Sequence, residues 1–309
     1  MAYTSGSTAF NLDFTELVEE AYERCGLQSR SGYDLRTARR SMNLMAVEWA
    51  NRGINLWTVE ECVVTLSPGQ AFYPVPVDTV DILDLVTRTS NASTTNQQDI
   101  NLSRISESTY STIPNKLTTG RPIQAWFNRQ SGNADVTTIT LATTCAATDT
   151  TLTLSSVVGL RSNGYIQLDN EIIGYANISG NTITNCYRGQ NGTTATAHTA
   201  GAIVTVQYLP NVTVWPCPDS STTYTMVYWR MRRIQDAGTG VNIQDVPFRF
   251  IPCMVAGLAY LISVKKPEVD PARVLFLKQD YEQAFDLAAQ EDRETAPIRW
   301  VPRNLFYSR

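Results

Sequence analysis

The sequence predicts an α+β fold that combines four helices, a β-meander, an inserted small all-β domain and an extended C-terminal arm. Near both ends of the 309-residue chain, apolar residues recur at the three-four spacing that is typical of amphipathic helices. Between them lie short runs of alternating apolar and polar residues, separated by Gly, Pro and Asn, as expected for strands and turns. From residue 131 to 206, Thr, Asn, Gly and Val dominate and lysine is absent, which indicates a separate β domain.

Residues 1–60 contain two predicted helices. The apolar face of the first is formed by Phe14, Leu17, Val18, Ala21 and Cys25. Asp13 and Glu16 have the spacing of a capping pair. The apolar face of the second is formed by Leu35, Ala38, Met42, Met45 and Trp49. Asp34 is its candidate N-cap, and Gly53 is placed to end it.

The β-meander is predicted in two parts, residues 61–130 and 207–240. The turn Ser67-Pro68-Gly69 lies in the first part, and an aromatic-rich strand covers residues 224–229 of the second. Removal of residues 131–206 would leave one continuous meander. We therefore interpret those residues as a domain inserted at a hairpin tip, where insertions are tolerated best.

Residues 241–291 return to a helical pattern. One face of the third helix is formed by Ile251, Val255, Leu258 and Ile262. This helix is apolar nearly all round, so we expect it to be central. The fourth helix is expected to begin at Asp270-Pro271, a good N-cap followed by a first-position proline. Its buried face is formed by Val274, Leu277, Tyr281, Phe285 and Ala288. Residues 292–309 are predicted to form an extended arm.

The composition excludes several classes of protein. A net charge of −4 provides no basic field for tight binding of nucleic acid. The longest apolar run, residues 253–264, is too short to cross a bilayer, so no membrane span is expected. No secretory signal is recognisable at the N-terminus, so synthesis in the cytosol is expected. The six cysteines show no zinc-type spacing and are expected to be free and mostly buried.

The order of elements resembles that of podovirus head-to-tail adaptors, the tail tubular or packaged-DNA-stabilising proteins. The motifs that carry the resemblance are Ile113-Pro114-Asn115-Lys116 before Gly120-Arg121-Pro122, Trp215-Pro216-Cys217-Pro218-Asp219, Tyr228-Trp229-Arg230-Met231-Arg232-Arg233-Ile234 and Val246-Pro247-Phe248-Arg249-Phe250-Ile251-Pro252. The likeness covers about three quarters of the chain and leaves out residues 131–206. It implies a four-helix adaptor core with a β-meander, into which the small β domain is inserted.

The resemblance also implies a function and its partners. The chain would be a structural virion protein in the neck of a short-tailed bacteriophage, assembled in the host cytoplasm. It would form a homo-oligomeric ring of twelve subunits that connects the portal protein to the tail nozzle and fibre proteins. The ring would help to retain the packaged genome and let double-stranded DNA pass without sequence specificity.

The resemblance places portal binding in the C-terminal arm, residues 292–309. The residues expected to contact the portal are Arg299, Trp300, Arg303, Phe306 and Tyr307. An extended arm with aromatic and arginine anchors can fold onto a partner and fill its pockets. The alternative is that the arm folds back on its own subunit.

Three arginines at the end of the aromatic-rich strand form the most concentrated positive charge. Strand alternation places Arg230 and Arg232 on one face and Arg233 on the other. They could face DNA in the channel or form salt bridges to a neighbouring subunit. We favour the subunit interface, because strong phosphate binding would impede passage of DNA.

The sequence offers little for catalysis, and we expect no enzyme activity, no cofactor and no metal. The only histidine, His198, lies in the Thr- and Gly-rich insertion and is expected at a surface or turn. Carboxylate pairs that could be proposed as a glycosidase acid and base are Glu19-Glu20, Glu60-Glu61 and Asp81 with Asp84. Solvated faces and helix caps explain these positions better, since adjacent helical residues do not face each other.

Two alternatives remain open at this stage. One is a tail-associated peptidoglycan hydrolase that uses Glu or Asp residues. The other is a carbohydrate-binding tail component, with the inserted domain and its Tyr165, Tyr175 and Tyr187 as the binding module. Part of the insertion is similar to small β modules of other phage tail proteins, through Leu168-Asp169-Asn170-Glu171-Ile172-Ile173, Tyr187-Arg188-Gly189, Gly192-Thr193, His198 and Gly201. This similarity assigns no ligand.

Overall fold

The structure is a computed structural model that describes residues 10, 12–29, 32–53, 56–90, 93, 95–239 and 241–292. It contains five α-helices and three β-sheets in these residues, which confirms the mixed α+β class. The chain divides into two compact units. The helical unit combines the residues before Val59 with those after Arg233, and the β unit consists of Val59–Arg233.

Helices lie at both ends of the described chain, with one short helix between the strands. They are α1 (Phe14–Cys25), α2 (Gly32–Asn51), α3 (Glu107–Ser111), α4 (Ile251–Ser263) and α5 (Pro271–Glu291). Short 3₁₀ turns cover Leu56–Thr58 and Phe248–Phe250. Helix α3 was not predicted from the sequence, because it is only five residues long and buries no side chain. No helix within the described ranges is both long and apolar enough to span a membrane.

The ends of the long helices follow local capping chemistry. The capping box predicted for α1 is confirmed, because Asp13 and Glu16 accept hydrogen bonds from each other's backbone N–H groups. Asp270 caps α5 as predicted, with Pro271 in its first turn. Asp34 was wrong as the N-cap of α2, since that helix begins two residues earlier, at Gly32. Asp34 lies in the first turn instead, where the helix dipole also favours a carboxylate, and accepts a hydrogen bond from Lys266 at 2.9 Å.

The helical unit has one apolar core, to which α1, α2, α4 and α5 all contribute. Helix α4 is buried on nearly all sides, as its continuous apolar sequence predicted. Trp49 of α2 packs against Phe250 and Phe285, and its indole N–H donates a 3.0 Å hydrogen bond to the hydroxyl of Tyr281 on α5. The polar end of this buried indole is therefore satisfied inside the core.

The strands of the β unit form three sheets. They are β1 (Val59–Thr65), β2 (Phe72–Pro74), β3 (Thr79–Thr89), β4 (Gln98–Asn101), β5 (Ser103–Arg104), β6 (Gln124–Asn128), β7 (Ala134–Thr140), β8 (Thr151–Thr153), β9 (Gly164–Leu168), β10 (Glu171–Ser179), β11 (Thr182–Gln190), β12 (Ile203–Gln207), β13 (Asn211–Trp215) and β14 (Tyr224–Arg232). Their orders are β1-β14-β3-β4, β2-β13-β6-β5 and β7-β12-β9-β10-β11-β8.

The single meander predicted for residues 61–130 and 207–240 was wrong. These residues form two four-stranded sheets, and β14 from the second part pairs with both β1 and β3 from the first. One apolar core joins the two sheets, with Leu85, Phe127, Val212 and Met226 among its buried residues. The physical reason is that each sheet must cover one apolar face, and a second sheet provides that cover where a single open meander would not.

Residues 134–207 contain all six strands of the third sheet, which we call the inserted sheet. It lies in the chain between β6 and β13, which are adjacent antiparallel strands of the sheet β2-β13-β6-β5. The inserted sheet has its own apolar core, with Ile166, Leu168, Ile173 and Ile183 fully buried. Alternation along β9 to β12 places these residues on the inner face.

Candidate functional site

The arginines singled out in the sequence lie at the end of β14. Arg230 is 7% exposed and binds both Asp78 and Glu60, with 2.9 Å between its Nη2 and Oε2 of Glu60. Arg232 donates from Nε to the other oxygen of Glu60 at 2.7 Å. Sharing Glu60 places Arg230 and Arg232 on one face, as alternation predicted.

This network changes what the arginines can offer to a partner. Arg230 is buried within its own subunit, and its charge is balanced by two carboxylates. The side chain of Arg233 is exposed. Its backbone N–H donates a 2.8 Å hydrogen bond to the carbonyl of Asp78. The assignment of Arg230, Arg232 and Arg233 to a subunit interface or a DNA channel stays a prediction, and Arg233 is the member with an exposed side chain.

The predicted portal-binding arm lies outside the described residues. This applies to each of the five expected contacts, Arg299, Trp300, Arg303, Phe306 and Tyr307. The last described helix, α5, ends at Glu291, immediately before the arm.

Large apolar side chains are exposed on two helices of the helical unit. On α2, Leu44 and Val47 are 61% and 59% exposed and lie one turn apart. On α5, Phe276 and Leu287 are 66% and 59% exposed, and their spacing of eleven residues returns to the same helix face. The buried faces of these helices are already occupied by the core. A contiguous apolar patch on a face that the core does not use is typical of a surface that binds another protein.

A second cluster of charges lies in the inserted sheet and is buried. Glu171 of β10 is fully buried and receives both prongs of the Arg188 guanidinium, from Nε and Nη2, each at 2.8 Å. Backbone N–H groups of Gly189 and Thr196 donate to the same carboxylate, each at 2.9 Å. His198 contacts Glu171 through Nε2 at 2.8 Å and Asp169 through Nδ1 at 2.7 Å.

The expectation of a surface or turn position for His198 was wrong. The side chain is about 1% exposed, although Asp169 beside it is 63% exposed. Each ring nitrogen lies within hydrogen-bond distance of a carboxylate oxygen. The backbone of His198 also pairs with Cys145 in both directions. His198 therefore links the segment around Cys145 to Glu171 of β10.

The acid–base behaviour of Glu171 follows from its contacts. Burial alone would raise the pKa of Glu171, but the hydrogen bonds from Arg188, Thr196, His198 and Gly189 outweigh burial and lower the pKa to about 2. A carboxylate held ionised in this way is a poor proton donor, so the cluster is suited to holding the sheet together rather than to general acid catalysis.

The turn that delivers Arg188 depends on a glycine. Gly189 has a φ of +59°, and a Cβ at this position would lie 3.0 Å from the carbonyl oxygen of Thr193. Asp169, Glu171 and Arg188 entered the sequence prediction only through the resemblance to small β modules, and no pairing among them was expected. The signal in the sequence is that charged residues are scarce in this Thr-rich segment, so those present are candidates for pairing.

The carboxylates considered for glycosidase chemistry have other partners. Glu60 binds Arg230 and Arg232, and Asp81 binds Arg104 and Arg129 at 2.7 and 2.9 Å. Burial would raise the pKa of Asp81, but the hydrogen bonds to its two arginines lower it overall. In the described part of the chain, no group of three His, Cys, Asp or Glu side chains could hold a metal ion. Five of the six cysteines are buried, as expected.

No protein-family model matches the chain. No curated protein matches it either.

Proposed function

We propose that this protein is a ring subunit of a head-to-tail adaptor in a short-tailed bacteriophage, with the helical unit as its four-helix adaptor core. The observation that carries the proposal is the exposure of large apolar side chains on α2 and α5, which a neighbouring copy of the chain would cover. The sequence resemblance supplies the identity of the assembly. The proposed ring connects the portal to the nozzle and fibres and lets the genome pass.

The charge distribution is compatible with passage of DNA. The chain has a net charge of −4, and the basic Arg230 and Arg232 are neutralised by Glu60 and Asp78. A channel built from such subunits would hold few phosphates by counterion release, so double-stranded DNA would move through without sequence-specific retention. The proposed place of the protein is the virion neck.

Oligomeric state tests the ring directly. We expect the purified chain to form rings, with twelve subunits, by native mass spectrometry and negative-stain electron microscopy. Leu44→Asp or Phe276→Asp should shift the population to monomers, because a charge replaces an apolar contact. Val158→Asp is the matched control, since Val158 is 86% exposed but lies in the inserted domain. Stable monomers of the wild type, with and without the portal protein, would contradict the proposal.

Portal binding tests the arm separately. A chain that ends at Glu291 keeps all the described helices, so it should still form the helical unit. We expect it to lose binding to the portal protein in a pull-down or by surface plasmon resonance. If the truncated chain still binds the portal protein, the proposal that the arm provides the portal contact is wrong.

The peptidoglycan hydrolase remains the alternative from another class. It is less favoured because Glu60 and Asp81 are engaged by arginines. Digestion of purified peptidoglycan, followed by loss of that digestion in Glu60→Gln or Asp81→Asn, would replace the structural proposal with an enzymatic one.

A further inference from the structure

A cleft in the β unit lies between the sheet β2-β13-β6-β5 and the inserted sheet. Its floor is formed by Trp126 and Asn128 of β6 and by Asn211 and Thr213 of β13. In the register of these strands, Asn128 lies opposite Asn211 and Trp126 lies opposite Thr213. The intervening residues, Phe127 and Val212, point to the apolar core between the two four-stranded sheets. We call this pair of sheets the sandwich. These four side chains therefore share the face that turns away from the core.

The opposite wall comes from the inserted domain. Arg161 and Asn163 precede β9, Gln207 is the last residue of β12, and Tyr208 follows it. The guanidinium of Arg161 lies 4.9 Å from the ring centre of Tyr208 and donates a 3.0 Å hydrogen bond to Gln130. The cleft encloses about 110 Å³.

Tyr165 and Tyr175, two of the tyrosines considered for carbohydrate binding, line the cleft but contribute little of its surface. Tyr165 and Tyr175 are 3% and 1% exposed, so their rings belong to the packed interior. The hydroxyl of Tyr187 donates to the carbonyl of Gly69 and so helps to fix the inserted domain on the sandwich. A more exposed aromatic side chain of the cleft is Trp126, whose ring stacks on that of Tyr110 with 5.3 Å between the ring centres.

The polar groups of the cleft are mostly amides, with a single charged side chain. Gln130 donates to the side-chain oxygen of Asn128 at 2.7 Å, and Gln207 donates to Gln167 at 2.7 Å. Asn211 and Thr213 are 8% and 6% exposed, so polar side chains are built into the floor. No carboxylate or lysine lines the cleft. This combination suits a neutral ligand that carries many hydroxyls and an apolar ring face.

We propose that this cleft binds a neutral saccharide, with one sugar ring against Trp126 and its hydroxyls on the surrounding amides and Arg161. Amides both donate and accept hydrogen bonds, as vicinal hydroxyls require. The guanidinium of Arg161 is a planar donor that reaches two neighbouring oxygens. The site needs both the sandwich and the inserted domain, so it is independent of ring formation by the helical unit.

Saturation-transfer NMR with the full-length chain tests the proposal. The probes are D-glucose, D-galactose, D-mannose, L-rhamnose and N-acetyl-D-glucosamine, with D-glucuronate as the charged comparison. We expect at least one neutral sugar to bind with a Kd of about 1 mM or tighter. Arg161→Ala and Asn128→Ala should weaken that binding at least fivefold, as the loss of a polar contact predicts.

Arg121→Ala is the matched control, since Arg121 is also an exposed arginine of the β unit but does not line the cleft. It should leave binding unchanged. Arg161 is itself exposed, so its variant should keep the wild-type melting temperature. Absence of saturation transfer to every neutral sugar would overturn the proposal. Wild-type affinity in both Arg161→Ala and Asn128→Ala would do the same. A preference for glucuronate would also overturn it, because it would mark an anion site.

Discussion

The helical unit and the inserted sheet differ in how their interiors are stabilised. The helical unit buries a largely apolar core around Trp49 and α4. The inserted sheet has an apolar core as well, but its strands are also joined by a buried cluster of Glu171, Arg188 and His198. Packing errors should therefore damage the first region most, and unpaired charges the second.

The largest effect that separates the two regions is expected from Arg188→Met. Removing the guanidinium leaves Glu171 buried without its main partner, which should cost about 3–5 kcal/mol of stability. Hydrogen exchange should show the lost protection in strands β9 to β12 rather than in the helices. The matched control is Arg88→Met, because Arg88 forms the same two-pronged contact with Asp99 at an exposed position. A loss in Arg188→Met no larger than in Arg88→Met would show that burial adds nothing to this ion pair.

Acid should weaken the inserted sheet next. The pKa of Glu171 is lowered from its ordinary 4.5 to about 2 in the folded protein. A lowered folded pKa contributes stability above the unfolded pKa, and that stability is lost as pH falls from about 4.5 towards 2. The loss should approach roughly 3 kcal/mol, read from hydrogen exchange in the inserted sheet across this range.

Glu171→Gln is the control for the acid experiment. This variant should start less stable at neutral pH and should lack the component of the pH dependence that Glu171 supplies. If the wild type and Glu171→Gln lose protection in parallel between pH 4.5 and 2, the stabilising role of the ionised carboxylate is wrong.

The smallest of the three effects concerns packing in the helical unit. A Cβ on Gly257 of α4 would lie 2.5 Å from Sδ of Met45 and 2.7 Å from the ring of Tyr281. Gly257→Ala should therefore cost about 1–3 kcal/mol in chemical denaturation, although alanine is the better helix former by about 1 kcal/mol. Gly32→Ala is the matched control, since nothing lies within 4 Å of a Cβ there. Equal or higher stability of Gly257→Ala would mean that α4 packs more loosely than its contacts indicate.

Local sequence patterns predicted the helical unit well. The three-four spacing from Phe14 to Cys25 and the pair Asp13 and Glu16 give α1 with its capping box. Asp270 and Pro271 likewise give the start of α5. Such signals are contained within a few residues of the chain, so one sequence is enough to read them. Asp34 shows the limit, because a carboxylate is favourable both at an N-cap and in the first turn.

The strand order was less predictable. Alternation along β14 correctly placed Arg230 and Arg232 on one face, but it contains no information about which strands lie beside β14. The pairing of β14 with β1 and β3 joins segments that are more than a hundred residues apart in the chain. This strand pairing depends on two sheets burying their apolar faces against each other, which is a property of the folded β unit.

The sequence by itself determined the mixed α+β class, the helix limits at Asp13 and Asp270, and the break in composition at the inserted domain. Only the tertiary structure decided the partners of the charged residues. His198 became a buried link between Asp169 and Glu171, and Arg230 became bound to Glu60 and Asp78. The reason is that helix periodicity and capping act over a few neighbouring residues, whereas a buried charge is stable only when distant strands bring its counter-charge within hydrogen-bond distance.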